Sequence, residues 1–178
     1  MKKYLYGSWT VLKNYLFAMI FFYLFIVGFY TKSGLFSVAI FIVMFLLIYN
    51  ELVHLTGIDK RKFGAVRLYE GAVYGLIAVM PFAIIQIIIS QLNLSIKGID
   101  FFVLRSNLMK GFLAPMLFIA RSMHYSLAGY IIAWSTIVLA AFLGYFAGCK
   151  GFDLSVFTRK LFGLQPRKRK PTKNNRRI

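Results

Sequence analysis

Four long stretches of the chain run without an ionised side chain: Asn14 to Thr31, Ser33 to Asn50, Gly71 to Ile96 and Ser122 to Cys149. Each matches or exceeds the ~17–25 apolar residues that cross a bilayer as a helix. None alternates apolar and polar positions with period two. In lipid a backbone must close its own hydrogen bonds, so the pattern predicts helices. The predicted spans cover about 12–31, 34–55, 71–92 and 125–149.

A fifth apolar stretch is different. Residues 100–120 are rich in Phe, Leu and Met, but Arg105, Lys110 and Pro115 interrupt them. On a helical wheel Asp100, Ser106, Asn107 and Lys110 gather on one side. Phe101, Leu104, Leu108, Met109 and Phe112 lie mostly on the other. A charge at mid-bilayer costs about 2.5–3.5 kcal/mol on insertion scales. Two such charges argue against a simple span. The expectation is an interfacial amphipathic helix or a re-entrant element, with Asp100 as its N-cap. The fold class is therefore an all-α, polytopic membrane helical bundle of four spans plus one interfacial or re-entrant segment.

Composition agrees. Of 178 residues, 60% are hydrophobic and 15% charged, which excludes an ordinary soluble domain and a disordered chain. One cysteine, Cys149, excludes a disulfide scaffold. The run after Lys2 and Lys3 ends at Val27-Gly28-Phe29-Tyr30-Thr31, with bulky aromatics at the positions where a cleavage site has small residues, and is read as a retained span. The link Thr31-Lys32-Ser33-Gly34 predicts a tight hairpin.

Charge gives orientation. The chain has 22 Lys+Arg against 5 Asp+Glu, a net charge of +17. Lys2, Lys3 and Lys13 precede the first span, and Lys60, Arg61, Lys62 and Arg67 follow the second. Basic residues mark the cytoplasmic side. Four spans then place both termini in the cytoplasm of a multi-pass plasma-membrane protein, whereas a fifth would export the basic tail. Residues 1–164 read as the membrane domain, with a short interfacial helix at about 153–162. Residues 165–178 read as a polybasic cytoplasmic tail.

Few side chains suggest chemistry. Ala140, Gly144 and Gly148 repeat at four-residue spacing, which lets helix backbones approach closely, either within the bundle or against a partner or second copy. Pro81 predicts a kink in the third span, and Gln86 lies deep enough to need a partner. With Arg105 and Lys110 they form the candidate solute pathway, although one interhelical hydrogen bond would also satisfy Gln86. No acid or base sits in the middle of a span, which counts against a proton-coupled pump. Glu51 and His54 share a helical face as half of a di-metal pattern, but the other ligands are missing. The alternative is a solvated helix end in which Glu51 pairs with Lys60 or Arg61.

Thr56-Gly57-Ile58-Asp59 reads as a turn, followed by the basic cluster Lys60, Arg61 and Lys62. That cluster and the run Arg167, Lys168, Arg169 and Lys170 suit anionic head groups. The tail could also meet RNA or a ribosome, but no aromatic interleaves it for base stacking. Nucleotide-binding, serine-elbow and zinc-protease motifs are absent, so no cofactor and no enzymatic activity are expected.

The segments Tyr49-Asn50-Glu51 and Gly144-Tyr145-Phe146-Ala147-Gly148-Cys149-Lys150-Gly151-Phe152 resemble small four-span membrane proteins of Gram-positive bacteria. That resemblance implies no particular activity. Three function classes remain open. The first is a non-enzymatic accessory or assembly subunit of a membrane complex, with another membrane protein or a second copy as partner. The second is a small transporter, channel or solute-binding subunit. The third is a lipid-handling enzyme.

Overall fold

A computed structural model describes residues 2–26, 33–64, 66–91 and 101–152. Asp100, Thr31 and Lys32 of the hairpin link, the helix expected at 153–162 and the run Arg167, Lys168, Arg169 and Lys170 lie outside the described residues. The described chain is helical: α1 (Lys2–Phe25), α2 (Ser33–Phe63), α3 (Glu70–Gln91), α4 (Phe101–Gly111), a 3-10 turn (Ala114–Met116), α5 (Leu117–Ser122) and α6 (Leu127–Cys149). Four of these are long and apolar enough to cross a membrane: α1, α2, α3 and α6. The fold is thus a polytopic membrane helical bundle.

The four long helices form a ring. α1 packs on α2 and α3, and α6 packs on the same two from the opposite side. The core between them holds Val11, Tyr15, Met44, Ile48, Leu52, Tyr74, Ile137 and Tyr145, all essentially buried. Outward faces carry exposed Phe, Leu and Ile side chains, as a lipid-facing wall should.

The ring has two unlike ends. One holds the start of α1, the end of α2, the start of α3 and the end of α6. Lys3, Lys60, Arg61, Lys62, Arg67 and Lys150 gather here, and we call it the basic end. At the other end, α4 and the 3-10 turn with α5 meet at a bend of 84° and enter the ring. Leu113, Ala114, Pro115 and Met116, at the bend, are buried. Hydrogen bonds to bare carbonyls fasten this re-entrant element. Tyr15 donates to the Phe112 carbonyl, and Tyr23 to that of Gly111 at 2.8 Å. Ser37 Oγ donates to the carbonyls of Ala114 and Pro115 and accepts from the Phe118 N–H at 3.3 Å. A broken helix leaves backbone groups unpaired, and membrane-depth irregularity survives only where protein satisfies them. Leu104 and Leu108 of α4 are exposed, but so is Asn107, whereas Ser106, Met109, Lys110 and Phe112 are half-buried, so the expected division into polar and apolar sides is kept only in part.

Two helices run longer than the charge pattern suggests. α1 already begins at Lys2, because Lys13 does not end the helix: its ammonium turns outward to Glu51 at 3.1 Å. Glu51 therefore pairs across to α1, not with Lys60 or Arg61. α2 continues through Thr56 and Gly57, where the sequence suggests a turn. Thr56 Oγ1 bonds the carbonyls of Leu52 at 2.8 Å and Tyr145 at 3.3 Å, tying that stretch to α6. α2 stops at Gly64, whose φ of +72° favours glycine. α6 starts on Ser126, whose side chain accepts from the Gly129 N–H at 3.2 Å. It ends on Gly151 in a Schellman motif, with Phe152 N–H bonded to the Ala147 carbonyl and Gly151 N–H to that of Gly148.

Candidate functional site

The basic end of the ring closes over a buried polar cluster to which each long helix contributes. α3 opens with Glu70, whose carboxylate benefits from the positive end of the helix dipole and accepts from the Arg67 N–H at 3.4 Å. Lys3 reaches across from α1 and donates to both Glu70 oxygens at 2.7 Å. One turn along α3, Tyr74 donates to Asp59 Oδ2 of α2 at 2.9 Å. Tyr145 of α6 stands between the acids, 2.7 Å from Glu70 Oε2 and 3.0 Å from Asp59 Oδ2. The rings of Tyr74 and Tyr145 meet edge to face at 5.4 Å. Asp59 and Glu70 are only 3% and 4% exposed.

Buried charge is tolerated only when it is paired and hydrogen-bonded. Here one ammonium and two phenols serve two carboxylates. Chemically the cluster is a clamp: it holds four helices by directed bonds where apolar packing alone would let them slide. Among the described residues no group of three or more His, Cys, Asp and Glu could hold a metal. Glu51 and His54 sit together on the outer face, without further ligands.

A second cluster lies deeper. Gln86 of α3 is buried, accepts from Trp134 Nε1 of α6 at 2.7 Å and donates to the Met109 carbonyl of α4 at 3.2 Å. Trp134 stacks on Phe82 at 5.6 Å, and Tyr15 leans on both rings. Gln86 thus holds the re-entrant element to the ring. The other pathway candidates do not join it. Pro81 faces outward within the continuous helix α3. Arg105 is half-buried on α4, and Lys110 lies over the Tyr125 ring at 4.8 Å.

Gly144 and Gly148 face α2, and Ala140 on the same helix is buried. A Cβ on Gly144 would lie 2.7 Å from the Tyr49 carbonyl oxygen, and one on Gly148 2.6 Å from Thr56 Oγ1. Within this chain the small-residue stripe is covered. Lys60, Arg61 and Lys62 are exposed at the end of α2, where cations also suit the helix dipole.

Sequence reading misses the clamp. Lys3, Asp59, Glu70, Tyr74 and Tyr145 come from four separated segments. The one local signal is Glu70 and Tyr74, four apart on one helical face, in a chain with only five acids. The chain matches no known family model, no curated protein and no solved structure.

Proposed function

We propose that the chain is a non-enzymatic accessory or assembly subunit of a membrane complex. One observation carries this reading: the bundle's buried polar groups serve the bundle itself. Among the described residues every buried side-chain nitrogen and oxygen has a partner within the chain. The clamp joins the long helices, and Gln86, Tyr15 and Ser37 fasten the re-entrant element. A solute pathway needs polar groups turned toward passing solute, whereas those of Gln86 are already engaged. Outward lie mainly an apolar wall, the exposed Lys13–Glu51 pair beside His54, and a basic rim of Lys60, Arg61, Lys62 and Arg67. On this reading the rim lies on the cytoplasmic side and touches anionic head groups or an acidic partner.

Native mass determination after gentle extraction into lipid nanodiscs tests the proposal. Other polypeptides are expected to travel with the chain at fixed stoichiometry. A chain that appears only with itself and a small solute would overturn it. The competing transporter reading rests on Gln86. Gln86→Leu leaves the Trp134 N–H and the Met109 carbonyl without partners, and should lower stability by about 1–3 kcal/mol. Unfolding in detergent measures that loss. Solute binding that disappears in a folded Gln86→Leu variant would favour transport instead.

A further inference from the structure

α2 has 31 residues, so it is about 46 Å long at 1.5 Å per residue. The hydrocarbon core is ~30 Å thick, or roughly 20 helical residues. Counted from Ser33, the apolar layer therefore ends close to Glu51. α1 reaches that level through a direct contact. Going back from Phe25, Lys13 is its first charged residue, and it meets Glu51 at 3.1 Å. The pair points out of the bundle, with the two side chains 56% and 38% exposed.

At that level a groove of about 370 Å³ opens between α1 and α2, lined by Tyr6, Thr10, Lys13, Asn50, Glu51 and His54 among others. Small-ligand sites typically measure ~300–1,000 Å³. Toward the membrane centre the same helical faces continue as exposed Phe17, Ile20 and Val43. Toward water, a smaller recess shares Tyr6 and Ile58 with the groove and holds Lys3 and Lys62. The groove thus has a polar floor at the height of lipid head groups and apolar stripes where acyl chains run.

Its charges select the headgroup. An ammonium has three donors and a carboxylate two acceptor oxygens. The Lys13–Glu51 pair uses one N–H and one oxygen. An anionic phosphate drawn to Lys13 alone would sit beside the Glu51 charge. A headgroup carrying both phosphate and a primary ammonium completes a ring of alternating sign. A quaternary choline lacks the N–H that Glu51 would accept. We infer that the α1–α2 groove binds the phosphoethanolamine headgroup of a membrane phospholipid, with phosphate on Lys13 and ammonium on Glu51.

The test is native mass measurement of the chain in phosphatidylcholine nanodiscs doped with equal small fractions of phosphatidylethanolamine and phosphatidylglycerol. One phosphatidylethanolamine per chain should be retained over both other lipids. Glu51→Gln should lower that retention about tenfold, the scale of one charge-assisted hydrogen bond, and raise that of phosphatidylglycerol, whose phosphate no longer meets the carboxylate. Lys13→Met should weaken both. Exposed ion pairs add little stability, so both variants should unfold at the native temperature. Equal retention of the three lipids by the native chain would overturn the inference. So would a folded Glu51→Gln variant that keeps its phosphatidylethanolamine. Displacement by free O-phosphoethanolamine as effective as by the lipid would assign the groove to a soluble ligand and also overturn it. Should Glu51→Gln fail to fold, the native chain decides alone: preference for phosphatidylethanolamine over both phosphatidylcholine and phosphatidylglycerol supports the inference, and its absence refutes it.

Discussion

Replacing Lys3 with Met should lower unfolding stability by about 3–5 kcal/mol, the usual cost of stranding one partner of a buried ion pair. Glu70 is 4% exposed and takes two of its hydrogen bonds from the Lys3 ammonium. Without it, the Glu70 carboxylate would keep only the Tyr145 hydroxyl and the Arg67 N–H as direct hydrogen-bond donors. The same reasoning gives a rescue. Lys3→Met combined with Glu70→Gln removes both charges and should recover most of the loss. Equilibrium unfolding of the single and double variants in one detergent checks both statements. A Lys3→Met protein as stable as the native chain would mean that α1 is not clamped to α3.

The second large effect is expected at Gly144. Leu there must place atoms where the Tyr49 carbonyl oxygen and Cα of α2 already stand, 2.7 and 2.9 Å from an added Cβ. Backbone cannot yield as a flexible side chain does, so α2 and α6 must separate. Overpacking costs typically ~1–3 kcal/mol, and a backbone obstacle puts Gly144→Leu at or above the top of that range. The separation also pulls Tyr145 away from Asp59 and Glu70. Gly144→Leu and Tyr145→Phe should therefore be less than additive in unfolding measurements, because the first already weakens the bonds that the second removes. Full additivity would show that the stripe and the clamp are independent.

The spans are legible in the sequence because a charged side chain inside lipid is costly, so uncharged runs and helices coincide. The re-entrant element is legible for the converse reason: Arg105, Lys110 and Pro115 break a run that would otherwise span. Helix ends are less legible. Lys13 looks like a boundary, yet a long lysine on an outer face can turn its ammonium to a partner while the helix continues. Thr56-Gly57 looks like a turn, yet α2 continues through it, with Thr56 tied across to the Tyr145 carbonyl of α6. The clamp is illegible because its order is tertiary: Lys3 and Glu70 are 67 positions apart, and Tyr145 and Asp59 86. Scarcity of acids hints that each has a use but does not name its partner.

In this bundle the 101–122 segment enters the ring and returns to the same end, which leaves four spans. The start of α1 and the end of α6 then lie on one side. Single cysteines at Lys2 and at Gly151, in a chain whose Cys149 is replaced by Ser, can be labelled in sealed vesicles with a membrane-impermeant maleimide. Both positions should react from the same side and be protected from the other. Reaction from opposite sides would make the bent pair a fifth span and contradict the architecture.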